Sequence, residues 1–146
     1  MFERLSMIPK GTDPAHSDSG KLGKIGEDLA VRYLETRGFS IVMRNFKVVL
    51  GRNSGGASVT GEIDVIALKD SAVTVVEVKT RKLQLRFSPE DSIDGRKRRQ
   101  LARTAKAYAR IFGLRFRDIR FAYIAIVMED NFHKPTIRFA DITSDF

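Results

Sequence analysis

The sequence predicts one α/β domain in which helices pack on a mixed sheet. Apolar residues recur at helical spacing in two stretches, and five other stretches are rich in β-branched and aromatic residues. Along the chain the order is helix, three strands, helix, two strands. A strand that follows a helix commonly runs parallel to an earlier strand through a right-handed crossover, so this order predicts a mixed sheet flanked by helices.

Length and composition set the limits of the molecule. The chain has 146 residues, which is enough for one domain with a real core. Residues 1–20 lack periodicity and predict a flexible N-terminal segment, which leaves residues 21–146 for the domain. The absence of cysteine excludes disulfides and thiolate metal sites. The sequence contains no signal-like or bilayer-length apolar run, which predicts a cytoplasmic protein with no membrane partner.

The first elements follow from periodicity and stop signals. A helix is predicted over residues 21–37, with Gly38 as its stop. Its apolar stripe consists of Leu22, Ile25, Leu29 and Tyr33. A strand is predicted over residues 39–50. Residues 51–61 include four glycines, which predicts a mobile loop.

Charged residues interrupt the next two apolar strands, which form a predicted hairpin. A two-residue turn at Asp70 and Ser71 would place Asp64 opposite Glu77, and the same register would place Glu62 opposite Lys79. Facing carboxylates repel each other, so a buried pair needs a proton, a base or a metal ion. Alternatively, the hairpin has one solvated face with an ordinary surface ion pair, worth about 0–1 kcal/mol. The apolar run VTVVEVK favours the buried site.

The second helix is predicted from Gly95 to Phe112, with Asp94 as N-cap and Gly113 beyond its end. Its core stripe consists of Leu101, Ala105, Tyr108 and Phe112. The same helix has no acidic residue and predicts a phosphate-binding surface at Lys97, Arg98, Arg99, Arg103, Lys106 and Arg110. Leu83 to Pro89 connect it to the hairpin, and strands are predicted over residues 120–128 and 136–142.

The net charge of +8 agrees with a polyanionic partner. Nucleic acid fits this charge, and charge alone does not distinguish it from an acidic membrane surface. Two other functions remain open from the residues alone. One is a nucleic-acid-binding module without turnover, and the other is a subunit whose basic helix binds an acidic protein. Metal binding and salt-dependent nucleic-acid binding separate these functions.

Three segments carry a family resemblance. The string GEIDVIA, followed after a turn by VVEVKTR, resembles the Asp…Glu-x-Lys motif of the PD-(D/E)xK nuclease superfamily. Together with GKLGKIGEDLAVRYLETRGFSIVMRNFK and DGRKRRQLARTAKAYA, it resembles the YraN family of endonuclease-like proteins, which are similar in fold to Holliday junction resolvases. The resemblance spans about residues 20–142. It implies a restriction-endonuclease-like αβββαβ core.

The resemblance also implies a site and a chemistry. It assigns Asp64, Glu77, Lys79 and Glu27 to catalysis, and Asp64, Glu77 and the Val78 carbonyl to a metal ion, Mg²⁺ or Mn²⁺. The implied activity is hydrolysis of phosphodiester bonds in DNA, with branched DNA as a substrate by analogy of fold. It is compatible with a homodimer. For Glu27 the residues leave an alternative, which is an acid favoured by the dipole at the helix N-terminus.

Overall fold

A five-stranded sheet with one helix against each face is the centre of the molecule. The computed structural model describes residues 18–82, 93–128 and 134–146. The helices are α1 (Asp18–Thr36) and α2 (Gly95–Phe112), and the strands are β1 (Ser40–Arg52), β2 (Ser58–Lys69), β3 (Ala72–Lys82), β4 (Arg120–Met128) and β5 (Thr136–Asp141). The strands lie side by side in chain order. Only β3 and β4 are parallel neighbours, which gives the predicted mixed sheet of a restriction-endonuclease-like core.

The limits of the elements differ from the sequence prediction in a few places. Helix α1 begins at Asp18, three residues before its predicted start. The rest of the predicted flexible segment, residues 1–17, lies outside the described residues, as does the predicted connection over residues 83–89. In the described parts of the chain, no helix has the length and apolarity needed to cross a membrane.

The predicted two-residue turn joins β2 to β3. Asp70 and Ser71 both have positive φ, 51° and 62°. Two successive left-handed residues form a type I′ turn, whose twist matches that of the paired strands. The ladder then continues in the predicted register as far as Val65 opposite Val76. The local turn chemistry therefore sets the register of the strands that follow it.

The glycine-rich stretch predicted to be a mobile loop is the end of a β-hairpin arm, so this prediction was wrong. Strand β1 continues through Arg52, and β2 already begins at Ser58. Asn53 closes the short turn between them, because its Oδ1 accepts hydrogen bonds from the backbone N–H groups of Gly55 and Ala57, both at 3.0 Å. An asparagine that binds the backbone in this way forms a turn by itself. Gly55 and Gly56 lie in that turn, and Gly56 has φ 83°.

The predicted limits of α2 are confirmed. Asp94 accepts a hydrogen bond at 2.7 Å from the backbone N–H of Lys97, which satisfies one of the free donors at the helix N-terminus. At the other end Gly113 has φ 68° and donates its N–H to the Ala109 carbonyl. Glycine adopts this left-handed conformation without a steric cost. Both ends of the helix are therefore fixed by the residues that predicted them.

Each face of the sheet carries its own apolar core. The core under α2 contains Ile63, Ile66, Val75, Ile93, Leu101, Ala105, Tyr108, Ala109, Ile119 and Phe121. The core under α1 contains Leu29, Ala30, Leu34, Val65, Val76, Ala122, Ile124, Ile126 and Met128. Phe112, predicted to belong to the core under α2, is 49% exposed, because it is the last residue of the helix. Its ring covers Tyr108, with 4.5 Å between the ring centroids.

Two glycines allow the helices to lie directly on the strands. A Cβ atom added at Gly26 of α1 would overlap the hydroxyl of Thr80 on β3. A Cβ atom added at Gly61 of β2 would overlap the hydroxyl of Thr104 on α2. Both helices are therefore held at a distance from the sheet that only glycine permits at these positions.

Candidate active site

The strands β2 and β3 separate beyond Val65 and Val76, and the charged residues of the hairpin lie in this gap. Strand β3 stays supported there because its parallel ladder with β4 continues to Lys82. In place of a backbone bond between the strands, the N–H of Val78 donates to Asp64 Oδ2 at 2.8 Å. The Asp64 carboxylate therefore lies in the gap itself. The predicted ladder pair of Glu62 with Lys79 is not formed, since the β2–β3 ladder ends at Val65 and Val76. On its other edge β2 stays paired there, with Glu62 opposite Lys47 of β1.

Strands β1 and β2 change face at the level of Asp64. Ile63 belongs to the core under α2 and Val65 to the core under α1, although two residues apart on a regular strand share a face. Asn45, the β1 residue at the same level, has φ 52°, a left-handed conformation that asparagine tolerates better than most residues. Regular alternation, which would place Ile63 and Val65 on one face, therefore does not hold here, and the left-handed Asn45 lies on β1 at the level where it fails.

Asp64 and Glu77 form an electrostatically coupled pair. Burial and the neighbouring Asp64 carboxylate raise the pKa of Glu77 to about 7. Burial also raises the pKa of Asp64, against the lowering influence of the Val78 N–H and of Lys97. Glu77 Oε2 is buried, and none of the described residues donates a hydrogen bond to it. A proton through which Glu77 donates to Asp64, or a cation, satisfies that oxygen.

A cation from α2 contacts this pair. Lys97 Nζ lies 3.2 Å from Glu77 Oε1. The sequence predicts Lys97 as one of six equivalent phosphate-binding residues and does not distinguish it from the others. One signal was available, because a basic residue in the first turn of a helix opposes the helix dipole unless a carboxylate lies opposite.

Glu27 approaches the pair from α1. Burial and then the Asp64 carboxylate raise the pKa of Glu27, and a hydrogen bond with Asn45 lowers it. Arg44 Nη2 lies 3.7 Å from Glu27 Oε2 and 2.7 Å from Asp28 Oδ1. Because α1 begins at Asp18, Glu27 lies well inside the helix, and the alternative of an acid placed at the helix N-terminus is wrong.

Lys79 and the Val78 carbonyl border the same gap. Lys79 follows Glu77 by two residues on a regularly paired strand, so both lie on one face, and Lys79 is exposed. The N–H and C=O of one strand residue point to the same edge, so we expect the Val78 carbonyl to point toward Asp64 as its N–H does. In residues 18–82, 93–128 and 134–146, no three acidic, histidine or cysteine side chains are close enough to hold a metal ion.

The remaining basic residues of α2 differ in their contacts. Arg98 Nη2 lies 3.9 Å from Asp145 Oδ2 and donates to the Ile93 carbonyl at 3.3 Å. Lys106 Nζ lies 5.0 Å from the centroid of the Phe116 ring. The exposed side chains on this helix include Arg99, Arg103, Lys106 and Arg110. The role of these residues in nucleic-acid binding stays a prediction. Arg98 differs from the exposed residues because its side chain contacts both Asp145 and the Ile93 carbonyl.

Curated relatives cover most of this chain. "UPF0102 protein" from Dictyoglomus turgidum is 38% identical over 109 residues, which are 74% of this chain and 83% of the relative. The protein of the same description from Persephonella marina is 37% identical and covers 76% of this chain and 87% of the relative. The protein from Solibacter usitatus is 35% identical, with 73% and 75% covered.

A solved structure and a family model add to these relatives. The crystal structure of SSO0001 shares 16% identity and a TM-score of 0.43, over 88% of this chain and 53% of that one, so this chain spans about half of its length. The model of "Uncharacterised protein family UPF0102" matches residues 26–126. These residues include α1 from Gly26, the whole hairpin and α2. The chain therefore belongs to UPF0102, the YraN family that its three sequence segments resemble.

Proposed function

We propose that this chain is a metal-dependent endonuclease-like protein that hydrolyses phosphodiester bonds in DNA. The observation that carries the proposal is the pair of carboxylates, Asp64 and Glu77, held in the gap where the β2–β3 ladder ends. A buried pair of this kind is costly to the fold, so a function for it is a better explanation than packing. By analogy of fold, the resemblance extends the proposal to branched DNA.

The residues fit a hard divalent cation. Asp64 and Glu77 offer carboxylate oxygens, the Val78 carbonyl adds a third oxygen, and Glu77 Oε2 is a buried acceptor without a donor among the described residues. Because no third acidic or histidine side chain joins them in the described chain, Mg²⁺ suits the site better than a metal that needs a full protein cage. Mn²⁺ is the usual substitute. When bound, the ion supplies Lewis-acid stabilisation of charge on a phosphate.

The other residues of the site have separate tasks. Lys79, exposed on the same face as Glu77, orients or deprotonates the attacking water or stabilises charge on the phosphate. Glu27 contributes negative charge near Asp64 and adjusts its ionisation, because the two carboxyl groups interact. The exposed basic residues of α2 hold the phosphates of the strand next to the gap.

A second candidate is a nucleic-acid-binding module of the same fold without turnover. One observation favours it: in the described residues no three acidic, histidine or cysteine side chains are close enough to hold a metal ion, and an ammonium already contacts Glu77. Both candidates require the basic face of α2, so salt-dependent binding of nucleic acid is expected of either. Turnover separates them.

A cleavage assay tests the proposal. Purified protein with Mg²⁺ or Mn²⁺ is incubated with linear, nicked, flapped and four-way-junction DNA, and we expect at least one substrate to be cut. Asp64→Asn removes a charge without a change of shape and should lower the cleavage rate by at least about a thousandfold. Lys79→Ala should lower the rate similarly while Mn²⁺ and DNA still bind. Chelation with EDTA should stop the reaction.

The control variant is Glu35→Gln, which removes an exposed carboxylate of α1 and should leave the rate unchanged. A contaminating nuclease would be recognised by unchanged cleavage in Asp64→Asn and Lys79→Ala, because it responds to none of the substitutions. Tight binding of Mn²⁺ and DNA without cleavage of any substrate, RNA included, would reject the enzyme and leave the binding module.

A further inference from the structure

Lys97 is fixed by the protein at two points. Its backbone N–H donates to Asp94 Oδ1 at 2.7 Å, and its ammonium lies 3.2 Å from Glu77 Oε1. The first turn of α2 holds no acidic residue, although negative charge is what the positive end of the helix dipole favours. A lysine here is unfavourable for the helix alone, and the carboxylate of Glu77 compensates for it across the gap.

Among the described residues, the ion pair shown at Glu77 does not balance the two carboxylates. Asp64 and Glu77 contribute two carboxylates, and Lys97 provides one ammonium, which reaches Oε1 of Glu77. Oε2 of the same carboxylate has no donor among the described residues. A divalent cation carries the second charge that the ammonium lacks and is attracted to the same oxygens.

The lysine is the member of this ion pair that can leave. The side chain of Lys97 is 38% exposed, whereas that of Glu77 is 12% exposed and is held on a strand paired with β4. A lysine has a flexible four-carbon stem and a compact charge that water solvates well. Its ammonium can therefore move to solvent while the α2 backbone stays capped by Asp94.

We infer that Lys97 is the resident counter-ion of Asp64 and Glu77 in the metal-free protein, and that a divalent metal ion displaces its ammonium. This inference rests on the proposed metal site and adds a regulation to it. Lys97 opposes metal binding, and its ammonium, once released, remains next to the site as a cation for the substrate phosphate. It is a positioning residue whose contact changes with metal occupancy.

Metal affinity tests the displacement. Mn²⁺ is titrated calorimetrically, without nucleic acid, into the wild type, Lys97→Gln and Arg96→Gln, the last of which removes the neighbouring exposed charge. We expect Lys97→Gln to bind Mn²⁺ about tenfold more tightly than the wild type, because a competing ion pair is gone. Arg96→Gln should stay within about twofold. Equal or weaker binding by Lys97→Gln would overturn the inference.

The position of the ammonium can be observed directly. Reductive methylation with ¹³C labels the lysines and keeps their charge, and the resonance of Lys97 is the one missing from Lys97→Gln. On addition of Mg²⁺ to saturation, this resonance should move to the region of the exposed lysines. A resonance that stays in place while Mg²⁺ binds would show that the ion does not displace the ammonium.

A measurement without metal separates this inference from the proposed function. In EDTA at pH 8, Lys97→Gln should unfold about 5 °C below Arg96→Gln, because the two carboxylates lose their counter-ion. Equal midpoints would refute the counter-ion role. If none of the proteins binds Mn²⁺, the proposed metal site and the displacement both fail, whereas a lowered midpoint in EDTA still establishes Lys97 as the counter-ion.

Discussion

The two ends of the β2–β3 hairpin are built in different ways. From the type I′ turn to Val65 and Val76 the strands pair through their backbones, and both cores use the side chains of this part. Beyond that point a carboxylate from β2 binds a backbone N–H of β3, and a lysine from α2 contacts Glu77. One end holds the sheet together, and the other end concentrates charge.

This contrast shows how a costly cluster is tolerated. Burial of two carboxylates weakens the fold, and such costs persist only where the surroundings determine the structure strongly. Here the paired end of the hairpin, the continued ladder of β3 with β4 and the capped helix α2 provide that support. The two ends should therefore respond in opposite directions to substitution.

The largest expected effect on stability comes from a substitution that disrupts the paired end. Ile66 is fully buried in the core under α2, so Ile66→Ala should lower the free energy of unfolding by about 2–5 kcal/mol. Glu77→Gln removes a buried charge and should raise the unfolding free energy, or leave it unchanged, at pH 8. Denaturant unfolding measures both.

The same two substitutions should affect Mn²⁺ binding in the opposite order. The folded Ile66→Ala protein should retain the Mn²⁺ affinity of the wild type within about twofold, and Glu77→Gln should lose it. Loss of Mn²⁺ binding in Ile66→Ala under conditions where it is folded would mean that the two ends are not independent.

An intermediate effect concerns pH. The pKa of Glu77 is raised from an ordinary 4.5 to about 7, so between these values the folded chain holds a proton that the unfolded chain has lost. Stability without metal should therefore fall as the pH rises from about 4.5 to about 7, by about 5 °C in the unfolding midpoint. Glu77→Gln should flatten this profile, and Glu35→Gln should not. A wild-type midpoint that rises over this range would contradict the raised pKa.

The smallest expected effect on stability comes from a substitution that stabilises the paired end. Ser71 has φ 62°, and glycine at the second position of a type I′ turn is preferred, so Ser71→Gly should stabilise the protein by about 0.5–1 kcal/mol. Ser71→Ala, the matched variant with a Cβ atom, should not stabilise it. Mn²⁺ affinity should be unchanged in both. A shift of metal affinity in Ser71→Gly would show that the turn and the gap communicate.

Local chemistry accounts for what the sequence predicted correctly. The caps Asp94 and Gly113 fix both ends of α2, and the turn at Asp70 and Ser71 fixes the register of the hairpin, because each of these signals acts within a few residues. The coupling of Asp64 with Glu77 followed from that register, even though the backbone ladder ends before it reaches them.

The features that the sequence did not predict depend on tertiary placement. Strict alternation assumes regular strands, whereas β2 changes face between Ile63 and Val65, at the level of the left-handed Asn45 of β1. The reach of Lys97 to Glu77 depends on where α2 lies on the sheet, and seven basic residues of that helix look alike in the sequence. The turn at Asn53 was not predicted, because the glycines next to it are equally typical of a flexible linker.

The close approaches at Gly26 and Gly61 have a consequence for mutational tolerance. Gly26 precedes Glu27 on α1, and Gly61 lies against Thr104 on the helix that carries Lys97. We therefore expect a single methyl group at either glycine to shift a charged residue relative to the gap. A saturation screen for the proposed activity should score both glycines as severely as the carboxylates, although neither has a reactive atom. The substitutions that this site tolerates are thus limited by the distance between each helix and the sheet.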